Sequence, residues 1–95
     1  PAAPTPDPVK PSFDCAKASN AVERMICTDR GLAALDVELS RTFKAAMMKA
    51  SNDNMLRNEQ IGWLKVNRNA CDQRLCVESA YRLRIDELKK RFSLN

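Results

Sequence analysis

The chain has no histidine, only two glycines, and few aromatic residues: one tryptophan, one tyrosine and three phenylalanines in 95 positions. Without histidine, the mechanisms that pair an imidazole base with Ser or Cys are excluded. The common histidine-containing zinc sites are excluded with them. Two glycines cannot build a phosphate-cradling loop, and neither GxGxxG nor GxxxxGK occurs. No run of 18 apolar residues is present, so no transmembrane segment is expected. β-Branched residues are scarce, whereas Ala, Leu, Met, Arg, Lys and Glu are abundant, which favours helix over sheet. At 44% hydrophobic and 29% charged residues, the composition is that of a globular chain rather than a disordered one. The length allows one domain.

Four cysteines are present: Cys15, Cys27, Cys71 and Cys76. An even number in so short a chain predicts two disulfides and an oxidising compartment, periplasmic or secreted. All five prolines fall within PAAPTPDPVKP at positions 1–11. Proline lacks an amide donor and fixes φ, so this stretch cannot nucleate a helix. Residues 1–12 are therefore expected to be a flexible, extended leader, and residues 13–95 the folded domain. The chain opens on Pro1 with no apolar signal core, and a processed mature form is expected.

The rest reads as helix. Asn20 followed by Glu23 fits a capping box, and a short helix is expected over about Asn20–Cys27. Thr28 or Asp29 caps a second helix, carried to about Ala50 by Leu32, Leu35, Leu39, Phe43 and Met47 at spacings of three or four. A third is expected over about Asn54–Ala70, with Gly62 inside it, where the missing side chain would let a neighbour approach. A fourth runs over about Leu75–Phe92, on the stripe Val77, Tyr81, Ile85, Leu88 and Phe92. Its outer face offers the i,i+4 pairs Glu78–Arg82, Asp86–Lys90 and Glu87–Arg91. Short loops favour antiparallel neighbours. The expected fold is all-α: a small antiparallel bundle of one short and three longer helices, stapled by two disulfides. Phe43, Trp63 and Tyr81 are expected in its core.

Four cysteines allow three pairings. A first helix of about 12 Å, at about 1.5 Å per residue, can be spanned by the segment that begins at Cys15, so a Cys15–Cys27 bond is within reach. Cys71 and Cys76 flank a four-residue turn and can bond locally; crosswise pairing stays open. A four-cysteine zinc site would want C-x2-C knuckles, and a redox site C-x-x-C. The spacings here, eleven and four residues, match neither. No metal or cofactor is expected.

Two blocks of residues resemble a known family. The first is Phe13-Asp-Cys15, Ala21-x-Glu23-x-x-Ile26-Cys27 and Leu32-Ala-x-Leu35-Asp36-x-Glu38-Leu39. The second is Trp63-Leu64, Arg68-x-x-Cys71, Cys76-Val77, Tyr81-Arg82 and Arg84-Ile85-x-x-Leu88. Together they resemble the LprI-like, or lysozyme-inhibitor-like, domain of exported bacterial proteins. The resemblance implies an exported, helical, disulfide-bonded domain and suggests lysozyme inhibition. Lipoprotein members carry a lipidated N-terminal cysteine. No cysteine precedes Cys15, so no lipid anchor is expected.

Function is therefore weighed between two binding roles. One is inhibition of lysozyme or another wall-degrading glycosidase, which works through two carboxylates in a cleft. Arg74, in the loop bounded by Cys71 and Cys76, would supply an inserted cation. The net charge of +4 opposes this role, because animal lysozymes are generally basic. The other role is an envelope or host-surface interaction protein that binds anionic envelope polymers. Residues 1–48 hold six basic and six acidic side chains, and residues 49–95 hold ten and six, so the excess lies in the last two helices. Arg57, Lys65 and Arg68 are expected in one helical sector there. An enzyme is not expected: Glu23, Glu38 and Glu59 form no paired-carboxylate motif. Nucleic acid is not an expected partner, since no recognition motif accompanies the small basic excess.

Overall fold

A computed structural model describes residues 9–94; residues 1–8, most of the Pro-rich leader, lie outside the described residues. A 3₁₀ turn at Cys15–Lys17 precedes four helices: α1 (Ala21–Thr28), α2 (Arg30–Lys49), α3 (Asp53–Trp63) and α4 (Arg74–Arg91). No strand occurs among the described residues. The bundle is all-helical, with one short and three longer helices.

Short polar side chains start three of these helices. Asn20 accepts the Glu23 amide at 2.8 Å, Asp29 the Leu32 amide at 3.1 Å, and Asn52 the Met55 amide at 3.0 Å. Each satisfies an amide that the first helical turn leaves without a partner. Glu23 bends back as a capping-box acid should, but to the amide and hydroxyl of Ser19, at 2.8 and 2.9 Å, one residue earlier than expected. Helix α4 has no side-chain cap at Gln73. Its entry is fixed covalently, because Cys71 is bonded to Cys76 in its first turn. The other disulfide joins Cys15 to Cys27 and holds the 3₁₀ turn against α1. Of the three pairings open from sequence, the sequential one is formed.

The core is built from Val22 and Ile26 of α1, Leu32, Leu35, Leu39 and Ala46 of α2, Leu56 and Trp63 of α3, and Val77, Tyr81, Ile85 and Leu88 of α4. Burying a side chain of this size contributes about 1.5–3 kcal/mol. Trp63 meets Tyr81 edge to face, with ring centroids 5.4 Å apart. Helix α2 packs chiefly on α4 and α1, whereas α2 and α3 part and leave a groove between them. Four details depart from the expected pattern. Phe43 and Met47 are only half-buried, because burial along the second half of α2 shifts to Thr42 and Ala46. Gly62 faces open space rather than a neighbouring helix. Arg91 turns away from Glu87 to a bidentate pair with Glu59 of α3, at 2.7 and 2.9 Å.

The fourth departure is the third helix, expected to run unbroken to about Ala70. It changes pitch after Trp63 into a π-helical segment, Leu64–Arg68, closed by the Asn69 amide on the Leu64 carbonyl at 2.9 Å. An i→i+5 turn aligns residues five apart rather than four. Arg68 therefore follows Trp63 inward, and Asn67, which α-helical spacing would have buried, is exposed.

Candidate functional site

The inward turn of Arg68 organises a polar network inside the bundle. Arg68 is only 5% exposed. It donates to Glu23 Oε2 of α1 at 3.3 Å, to the Tyr81 hydroxyl of α4 at 3.4 Å, and to Asn69 Oδ1 at 2.9 Å. Tyr81 in turn donates to Asp36 Oδ1 of α2 at 2.7 Å. Asp36 Oδ2 accepts the Ser12 amide, and the Arg68 guanidinium lies 5.7 Å from the centre of the Phe13 ring. The network thus ties α1, α2, α4, the π-helical segment and residues 12–13 together. The Ser19 amide, with help from Arg68, holds the Glu23 carboxyl below its ordinary range. Burial first, and then the Asp36 carboxylate, push the Tyr81 hydroxyl well above its ordinary value.

Three members of this network, Glu23, Asp36 and Arg68, line a cavity of about 260 Å³ between α2 and the α3/π-helical rod. Ser12, Phe13, Ser40, Phe43, Gln60 and Trp63 line it with them. The groove continues past Phe43 to Lys44, Met47, Arg57 and Ile61. Ile61, on its edge, is 49% exposed.

The four cations singled out from sequence have separate fates. Arg74 is the first residue of α4 rather than a free loop residue. It pairs with Asp29 at 2.6 Å and with Glu78 at 2.9 Å, and the Asp29 contact raises its pKa further. Arg68 is buried in the network and does not share a surface sector with the others. Lys65 is exposed and lines none of these cavities. Arg57 is exposed, makes no ion pair among the described residues, and stands in the groove beside Phe43, Met47 and Ile61. Four of the other basic residues of α4 are paired: Lys90 with Asp86, Arg91 with Glu59, Arg84 with Glu87, and Arg82 more loosely with Glu78 at 3.9 Å.

Sequence reasoning named Asp36 and Arg84 only within the family resemblance and gave neither a role, although each is 5% exposed. A signal existed: both are charged residues that fall in step with the apolar stripe, Asp36 four after Leu32 and Arg84 three after Tyr81. Neither residue forms a metal site, and no group of three or more metal-ligating side chains occurs among the described residues. All four cysteine sulfurs are taken up in disulfides. No described helix is long and apolar enough to cross a membrane.

A family model described as "Lysozyme inhibitor LprI" matches residues 15–91, which include all four cysteines and the Glu23, Asp36, Arg68 and Tyr81 network. Proteins named "Lipoprotein LprI" from Mycobacterium bovis and from the CDC 1551 and H37Rv strains of Mycobacterium tuberculosis are each 35% identical to the chain over 81 residues. The match covers 81% of the chain and 40% of each relative, so the chain spans well under half of their length. No solved structure matches.

Proposed function

The chain belongs to the LprI lysozyme inhibitor family, and from that membership we propose that it is an exported, non-enzymatic binding domain that targets a wall-degrading glycosidase of the lysozyme class. The observation that carries this reading is the setting of Arg57: a guanidinium with no ion pair among the described residues, flanked by Phe43, Met47 and Ile61. Arginine beside aromatic and aliphatic side chains is the composition that concentrates binding energy at protein interfaces. A lysozyme cleft presents two carboxylates. A guanidinium delivered there with an apolar collar makes charge-assisted hydrogen bonds in a site from which water is excluded. Arg74 is less suited to this role, because an approaching carboxylate would compete with Asp29 and Glu78. Two disulfides support export to a periplasmic or secreted location.

Adhesion to anionic envelope polymers is the weaker reading, since two cations of the basic half are matched by acids from the first half of the chain, Arg68 by Glu23 and Arg74 by Asp29. Calorimetric titration of the oxidised chain into a purified lysozyme tests the proposal. One-to-one binding at micromolar concentration, lost after reduction of the disulfides, is expected. The absence of binding heat at concentrations up to about 100 μM, where a micromolar complex is saturated, overturns it.

A further inference from the structure

The cavity beside the Arg57 groove has a different chemistry from the groove itself. Its lining carries two polar groups that the fold does not use. Among the described residues Ser40 Oγ makes no hydrogen bond, and Gln60 engages only its carbonyl oxygen, which accepts from Arg84 Nε at 2.9 Å, leaving its NH₂ free. The lining also holds Glu23 and Asp36, which carry carboxylates, and Arg68, which carries a guanidinium. Its walls are aromatic. Phe13 is taken up by the Arg68 guanidinium, and Trp63 is buried against Tyr81. The half-buried Phe43 is left to meet a ligand.

We propose that this cavity is a binding subsite for one ring of a neutral saccharide. A pyranose ring presents a face of C–H bonds, which packs on an aromatic ring. Its edge carries hydroxyls that each donate and accept, which suits a hydroxyl, an amide NH₂ and carboxylate lone pairs converging on one space. At about 260 Å³ the cavity is smaller than the roughly 300–1,000 Å³ of sites for drug-sized ligands, which fits a single ring rather than an oligomer. The charged side chains that line the cavity disfavour an acidic ligand, since Glu23 and Asp36 supply two carboxylates against the one guanidinium of Arg68, while Lys44 and Arg57 line the adjoining groove and not this cavity. The site differs from the anionic-polymer surface considered above, and it does not depend on the glycosidase reading.

Trp63 is the chain's one tryptophan and lines the cavity, so its fluorescence reports occupancy without a label. The oxidised chain is titrated with methyl glucoside and, separately, with methyl glucuronide, which differs only in its carboxylate. We expect a saturable change with a midpoint of about 1–20 mM for the glucoside and at least about 10-fold weaker binding of the glucuronide. Ser40→Ala, which removes no hydrogen bond of the fold, is expected to weaken glucoside binding about 5-fold. Phe43→Ala is expected to weaken it about 10-fold or more. Helical circular dichroism verifies that each variant is folded. The proposal is overturned by any of three results: no saturable response to the glucoside up to roughly 0.1 M, glucuronide binding as tight as glucoside binding, or wild-type affinity in both folded variants.

Discussion

Arg68 and Glu23 stand 45 positions apart, and their side chains meet 3.3 Å apart inside the bundle. The same guanidinium reaches the Tyr81 hydroxyl and Asn69, so removing it leaves several polar groups short of a partner. Arg68→Ala is expected to destabilise the fold by about 3 kcal/mol, in the range found when one member of a buried pair is lost. Arg68→Lys is expected to recover little of this, because an ammonium cannot serve three partners in a planar fork. Urea denaturation of the three proteins checks both expectations.

Acid and alkali act on different parts of the molecule. The carboxyls of Glu23, Asp29 and Glu59 lie below their ordinary values of 4.5, 3.8 and 4.5, through the Ser19 amide, Arg74 and Arg91 respectively. Lowered carboxyl pKa values contribute stability that is complete above those ordinary values and lost as pH falls through the folded ones. The Tyr81 hydroxyl lies above its ordinary value of 10.0, chiefly through burial, so its contribution is complete below pH 10.0 and lost as pH rises further. Stability measured by chemical denaturation should be level from about pH 6 to 9 and fall on both sides. Glu59→Gln should shallow the acid limb, and Tyr81→Phe should remove the contribution of this hydroxyl to the alkaline limb.

The two disulfides close loops of different length, with sequence separations of 12 and 5. Loop-closure entropy then predicts about 3 kcal/mol for Cys15–Cys27 and about 2 kcal/mol for Cys71–Cys76. Replacing each pair by serine and comparing urea midpoints should give this order. The second replacement should also loosen the start of α4, which has no side-chain cap, and hydrogen exchange of the amides there would detect it.

The two glycines should answer to alanine in different ways. A Cβ at Gly62 meets nothing within 4 Å, so Gly62→Ala is expected to stabilise the helix by about 0.5–1 kcal/mol. A Cβ at Gly31 would come within 2.8 Å of Arg74 Nη2 and 3.3 Å of Asp29 Oδ1. Gly31→Ala must therefore push aside the Arg74 side chain, and the gain should be smaller or absent. Thermal melts of the two variants compare them directly.

The helices and most of their caps were legible in the sequence because they depend on local spacing. The stripe Val77, Tyr81, Ile85 and Leu88 is buried as its period requires, and Asn20 and Asp29 cap as their chemistry requires. The site was less legible because it depends on one non-local event. Nothing in Leu64–Arg68 marks a change from α to π pitch, yet that change carries Arg68 from the surface to the core. Ion pairing was hidden for the same reason. Arg74 looked free until the fold brought Asp29, 45 residues away, against it. Arg57 was visible as a cation, but its apolar collar forms only where α2 and α3 part.

Inhibition of lysozyme-catalysed cell-wall lysis, compared for the wild type, Arg57→Glu and Arg74→Gln, tests the central claim most directly. The expected result is dose-dependent inhibition by the wild type at micromolar concentration, weakened about 10-fold or more by Arg57→Glu and far less by Arg74→Gln. Undiminished inhibition by a folded Arg57→Glu would contradict the assignment of the groove. A wild type that leaves lysis unchanged at about 100 μM would contradict the inhibitory role itself.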